Sequence, residues 1–205
     1  MKKIPTLFTR VYQNHKIVDC LPIVAEGMEW VLDGKGIATV KYDGSCCAII
    51  NREFYKRYDA KKGKPVPDGA IKCQEKADEI TGHLPCWVKC DRKNPSDKWF
   101  WSAYDSVFDG YGKDTRATLA TILKDARVKD IPWTFEAVGK HFNGNPYGID
   151  NDILVEHGKD IVDIERTFDG IKNYLKNNYI EGIVFWLDGE PKCKVKRTDF
   201  GFDWN

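Results

Sequence analysis

Lys41 stands in the stretch TVKYDGSCC, between one apolar strand-like run and the next, with an aspartate and a glycine close behind it. A lysine there can decorate a turn, or its amine can be a nucleophile. Residue types that would support the second role recur downstream. Glu136 lies inside TFEAVG and Glu181 inside IEGIVFW, each set within an apolar run. An unpaired carboxylate in such a place is costly, so each asks for a partner or a ligand. Lys194 and Lys196 alternate in KVK, which puts both on one face of a strand. Arg57 lies on an earlier run, EFYKRYD. An amine, two carboxylates and several cations suit displacement at phosphorus. The amine attacks only when deprotonated, and its ordinary pKa is near 10.4. Neighbouring cations and partial burial lower that value. The same cations neutralise charge that builds on phosphoryl oxygens in the transition state.

The elements that must position these groups are mostly strands. GIATVKYDG, SCCAIIN and EFYKRYD are short β-rich pieces bounded by Gly, Asp and Asn. GKPVPDG reads as a loop. The aromatic run KWFWSAYDSVF, residues 98–108, reads as a half-buried strand. DTRATLATILKDARVKD is the clearest helix, with Asp114 or Thr115 as its cap and Leu119, Ile122, Leu123 and Ala126 on one stripe. IPWTFEAVG (131–139) and DILVEHG are strands, with the turn-rich loop KHFNGNPYG between them. A second helix is expected from about 163 to 177, with Ile164, Phe168, Ile171 and Leu175 as its buried stripe and Gly170 weakening it. NYIEGIVFWLDGEPKCKVKR is a hairpin turning at Asp188-Gly189. This order argues for an α+β fold with mainly antiparallel sheets and helices on their faces.

Lys41-Tyr42-Asp43-Gly44 matches K-x-D-G, a weak motif alone. It is followed in order by Arg57, TFEAVG, EGIV and KVK. That ordered set resembles the motifs of the covalent nucleotidyltransferase superfamily of polynucleotide ligases and capping enzymes, from Lys41 to Lys196. KYDGSCC, GHLPCWV, FNGNPYGI, IEGIVFW and the terminal KVKRTDFGFDW are similar to the ATP-dependent 5′-to-3′ RNA ligase family that includes the vertebrate RNA ligase 1 type.

The resemblance implies a single nucleotidyltransferase domain over residues 1–205, an ATP-grasp-like ligase adenylation fold without an OB-fold. It implies that Lys41 takes AMP from ATP and passes it to the 5′-phosphate of an RNA. A 3′-hydroxyl then displaces the AMP. Lys41 would be the nucleophile and Glu136 the acceptor for ribose hydroxyls. Glu181 would hold metal or orient the lysine, and Lys194 would clamp the α-phosphate. Lys196 would be the second basic position, and Arg57 would sit near the ribose or the RNA 5′-phosphate. Glu75, in CQEKAD, would be an extra acidic residue toward Mg2+ or Mn2+, or simply an exposed loop position. Either Phe142 or His157 would stack on adenine, and Val40 offers adenine no polar handle. A DNA nick ligase, a capping guanylyltransferase and a non-catalytic RNA-end-binding module remain open alternatives. Only nine residues follow Lys196, so RNA grip is expected from basic clusters or from an accessory RNA-binding partner.

The bulk numbers are compatible with that expectation. The 205 residues suit one domain, or one with a small appendage. A net charge of +1 carries no information on nucleic acid, but two runs are locally basic. Residues 52–64 hold Arg52, Lys56, Arg57, Lys61, Lys62 and Lys64, and KCKVKR holds Lys192, Lys194, Lys196 and Arg197. They form one phosphate-binding face or two solvated surfaces. Seven cysteines without an apolar leader point to free thiols in a reducing, cytoplasmic setting, and no run approaches a membrane span. Cys73, His83, Cys86 and Cys90 lack the paired knuckles of a structural zinc site and read as incidental thiols.

Overall fold

The computed structural model describes residues 1–79, 81–110 and 130–204. The helix expected over DTRATLATILKDARVKD lies outside the described residues. The described residues form eleven strands and two α-helices, all sheet pairings being antiparallel, which is compatible with an α+β fold. The chain divides into two compact units: Met1–Lys3 with Asp43–His157, and Ile4–Tyr42 with Gly158–Asn205.

The first unit is built on a six-stranded sheet. Its strands are β4 (Ser45–Ile50), β5 (Glu53–Ala60), β6 (Ile71–Lys72), β7 (Leu84–Lys89), β8 (Trp133–Val138) and β9 (Ile153–Glu156), in the spatial order β6-β7-β5-β4-β8-β9. One face carries Cys47, Ile49, Phe54, Phe135 and Leu154 and packs on helix α1 (Lys98–Gly110). Residues 98–108, expected as a strand, are therefore helical. Aromatic richness suggests β structure, but here it serves a 3.6-residue period. Phe100, Ala103 and Tyr104 turn inward, while Lys98, Trp99 and Ser102 are exposed. Asn94 starts the element: its side-chain oxygen accepts from the Ser96 N–H and caps a short 3-10 turn, Pro95–Asp97, that runs into α1. The Phe54 ring meets Trp101 and Tyr104 at centroid distances of 5.3 and 5.0 Å.

The second unit pairs a hairpin, β1 (Phe8–Gln13) with β2 (Lys16–Val24), and a three-stranded sheet in the order β11-β10-β3. Here β3 is Ile37–Lys41, β10 Gly182–Leu187 and β11 Glu190–Lys196. Asp188 and Gly189 both take positive φ in the β10–β11 turn, the geometry that favours Asp-Gly in a two-residue hairpin. One face of the sheet carries Ala38, Ile183, Phe185, Cys193 and Val195 into a core shared with Leu7 and helix α2 (Phe168–Asn177). That helix is shorter than the 163–177 expected. Thr167 is its N-cap, its hydroxyl accepting from the Gly170 N–H, so Ile164 packs from the preceding segment instead.

Lys41, Gly182 and Lys196 share one rung of this sheet. A Cβ at Gly182 would lie 2.2 Å from the Val195 carbonyl oxygen and 3.0 Å from the Lys196 Cα, both backbone atoms. Gly182→Ala is expected to force β10 and β11 apart at a cost of about 2–3 kcal/mol, read as a lower urea midpoint.

Candidate active site

The register sets the site of the second unit. Lys41 on β3 and Lys196 on β11 flank Gly182, and Thr39 and Lys194 flank Val184 on the adjoining rung of the same face. The opposite face is the apolar core, so all three lysines leave the sheet on the side away from it. Two strand spacings separate Lys41 from Lys196, about 9.5 Å, and their long side chains close that gap on one carboxylate. Glu181, immediately before β10, accepts from the Lys41 amine with Oε2 and from Lys196 Nζ with Oε1 at 2.5 Å. Its side chain is only 6% exposed, against 22% for Lys41 and 32% for Lys196. A carboxylate so withdrawn from water is held there by its two cations. The Glu181 backbone carbonyl also accepts from the Arg197 N–H, fixing where the side chain starts.

Lys194 completes the group. Its backbone is tied on both sides, accepting from the Leu7 N–H and donating to the Pro5 carbonyl. Its amine has no hydrogen bond or ion pair among the described residues. Burial, then the charges of Lys41, Lys196 and Arg10, push the amine down to about 8. Arg10 is itself held by buried Asp199 at 2.8 Å. Three amines against one carboxylate leave excess positive charge, the setting an anion such as a phosphate would meet.

The depressed Lys194 value has a consequence for stability. Between about 8 and 10.5 the unfolded chain holds a proton at this lysine that the folded chain has released. The group therefore makes folding more favourable as pH rises through that window, and disfavours folding below it. Buried thiols such as Cys193, pushed up to about 12, act in the opposite sense at high pH. The comparison is thus against Lys194→Met. The variant is expected to gain roughly 1–2 kcal/mol near neutral pH and to lose the advantage toward pH 10, measured by urea unfolding at both ends.

Arg57 and Glu136 lie on the first unit, on the sheet face opposite α1. The pairings Trp87↔Arg57, Cys46↔Glu136 and Glu136↔Val155 put Cys46, Arg57 and Glu136 on one face, and His157 follows Val155 by two. His157 Nε2 lies 3.0 Å from Glu136 Oε2, and Arg57 Nε donates to Asp59 at 2.9 Å. Phe142 is not exposed for stacking: it is 4% exposed and packs edge-on against Phe100 in the core. Glu75 sits exposed in the loop after β6 and joins neither group. Among the described residues, Cys73, His83, Cys86 and Cys90 do not converge on a metal-binding cluster, and all seven cysteines are free.

The basic runs are partly consumed internally. Lys56 pairs with buried Asp97, Lys192 with Glu190, and Arg197 caps the C-terminal carbonyls of Leu175 and Asn178. The loop FNGNPYG has a positioning role that the sequence reading did not assign. Asn143 Nδ2 donates to the Asp43 carboxylate and the Gly44 carbonyl, each at 2.7 Å, and the Tyr147 hydroxyl accepts from the Asp43 N–H. The alternating Asn-Gly-Asn composition was the available signal, and all three residues take positive φ in the structure.

The chain is similar to proteins named RNA ligase 1. It is 28% identical to the one from Danio rerio over 169 residues, covering 72% of this chain and 46% of that protein. It is 26% identical to that of Pongo abelii over 176 residues (73% and 47%) and 24% identical to that of Rattus norvegicus over 234 residues (82% and 68%). The chain spans about half the length of the first two and about two thirds of the third. No family model matches it. Among the described residues, no helix is long and apolar enough to cross a membrane.

Proposed function

We propose that this chain is an ATP-dependent RNA ligase of the covalent nucleotidyltransferase type, joining 5′-phosphate and 3′-hydroxyl ends. The observation that carries the reading is the convergence of Lys41 and Lys196 on buried Glu181, with the Lys194 amine, unpartnered among the described residues, on the same sheet face. The similarity to proteins named RNA ligase 1 supports it.

In this reading Glu181 holds the Lys41 amine in place and receives hydrogen-bonding protons as the lone pair turns toward phosphorus. The Lys41 nitrogen attacks the α-phosphorus of ATP, a P–N bond forms, the P–O bond to pyrophosphate breaks, and the proton shed by the amine passes to Glu181 and on to solvent. Lys194 and Lys196 neutralise the phosphoryl oxygens. The 5′-phosphate of an RNA then displaces the lysine and takes the AMP. A 3′-hydroxyl attacks that terminal phosphorus, forms the phosphodiester and releases AMP. Glu136 is assigned the ribose hydroxyls, for which a carboxylate can accept twice, and Arg57 the ribose or the RNA 5′-phosphate.

Glu181 also fits Mg2+ or Mn2+ in donor chemistry, because both prefer oxygen. Both its oxygens are engaged by lysines, so it would hold such an ion once a phosphate draws one amine away. Glu75, exposed and outside any cluster, would add one oxygen at most. When bound, the ion supplies neutralisation of phosphate charge.

The test is incubation with α-labelled ATP or GTP, followed by 5′-phosphorylated RNA or DNA. Label from ATP on the protein, moving only to RNA and into a joined product, is the expected result. Label from GTP alone points to a capping enzyme, transfer to DNA to a DNA ligase, and no label to a binding module.

A further inference from the structure

We propose that Cys46, Glu136 and His157 form a site for a divalent cation of the zinc class. The three come from β4, β8 and the residue following β9, and the sheet register turns all of them to one face. Their ligand atoms all lie within 4.8 Å of one another, the one such trio of His, Cys, Asp or Glu among the described residues. Zinc bonds of about 2.0–2.3 Å at tetrahedral angles ask for ligand atoms roughly 3.3–3.6 Å apart, a spacing within reach of small side-chain rotations. His157 Nε2 and Glu136 Oε2, at 3.0 Å, would open slightly to meet it. The other ring nitrogen, Nδ1, is buried with no hydrogen-bond partner among the described residues, so Glu136 is the one hydrogen-bond partner of the ring there.

The donor set selects the ion. A thiolate beside an imidazole and a carboxylate suits zinc, cobalt or cadmium, whereas Mg2+ takes oxygen ligands and keeps its waters. Binding replaces the Cys46 S–H proton, released to solvent, by a metal–sulfur bond. Three protein ligands leave a fourth position open to water or to an oxygen of a bound molecule. Arg57 lies on the same face, and its charge is offset by Asp59 at 2.9 Å. One consequence rests on the ligase reading: a zinc-class ion on Glu136 removes the carboxylate assigned to the ribose, so zinc inhibits AMP attachment where Mg2+ does not.

The full chain, stripped with a chelator and desalted, is titrated with Co2+ and followed by absorption. One equivalent is expected to raise a thiolate-to-cobalt charge-transfer band with the intense visible bands of a four-coordinate ion, abolished by Zn2+ and unaffected by excess Mg2+. Cys46→Ser is expected to remove the charge-transfer band, and Glu136→Gln to weaken binding about tenfold or more. Cys20→Ser, in the other unit, changes nothing. His157→Gln alters a partly exposed ring without touching the thiol, and is expected to weaken binding to the same degree if Cys46→Ser proves unfolded by circular dichroism. A charge-transfer band that survives in folded Cys46→Ser, an unchanged affinity in His157→Gln, or no band in the parent chain overturns the site. No nucleotide is needed, so a failed AMP test leaves this result standing, and a failed spectrum leaves the ligase reading standing.

Discussion

Lys41→Ala is expected to abolish covalent AMP attachment outright, not merely to slow it. No other amine can substitute without rebuilding the group: Lys196 is committed to the second oxygen of Glu181, and Lys194 leaves from the adjoining rung. Alanine also strips Glu181 of one of its two cations, so a lost activity could reflect disturbed packing. Lys41→Arg separates the two effects. A guanidinium keeps the charge and the pairing to Glu181, yet holds its proton at every pH at which proteins survive, so it cannot attack phosphorus. Lys41→Arg should therefore melt close to the parent and still gain no AMP. Intact-protein mass after ATP and magnesium gives the readout. AMP on Lys41→Arg, or AMP mapped to Lys194 or Lys196 in the parent, would refute Lys41 as the nucleophile.

Glu181→Gln is expected to have the largest effect on stability of any single change at this site. The carboxylate is nearly withdrawn from water and takes both Lys41 and Lys196. Its amide keeps the shape but turns an NH2 donor toward one of the two ammonium groups, leaves a single neutral oxygen for the other, and removes the one anion that pairs with these amines among the described residues. Breaking a buried ion pair by neutralising one partner costs about 3–5 kcal/mol when all groups are buried. The lysines here are partly exposed, so roughly 2–4 kcal/mol is expected after screening by solvent, or a melting point lower by roughly 5–10 °C. Adding Lys196→Met to Glu181→Gln should return part of the loss, because it removes one of the stranded charges; a double-mutant cycle measures the coupling. AMP attachment should fall by roughly 10²–10³-fold. A Glu181→Gln protein as stable as the parent would mean that the lysines are solvated and the carboxylate is not their anchor.

Local patterns in the sequence determined most of the strands. Apolar and β-branched runs closed by Gly, Asp or Asn mark β3, β4, β5, β8 and the β10–β11 hairpin, because a strand and a two-residue turn depend on neighbouring residues alone. The same logic misassigned residues 98–108, where composition pointed to β structure and packing against the Phe54 face made a helix. It also placed the start of α2 too early, since Ile164 packs on the core from outside the helix that Thr167 begins. The β1–β2 hairpin passed unread, its Asn14-His15 turn being a weaker signal than Asp-Gly. For the site, residue types were legible from the chain: a lysine before Asp-Gly, glutamates that need partners, and lysines alternating on a strand. Which of them meet was not. That Lys41 and Lys196 share a rung with Gly182 depends on β10 pairing with a strand some 140 positions earlier, and the face to which Glu136, Cys46 and His157 turn depends on register across β4, β8 and β9. Slipping any of those pairings by one residue would send every side chain to the other face without changing the local sequence. Only the burial of an apolar face selects the register, so each of these two groups of residues came together only when the core of its own unit formed.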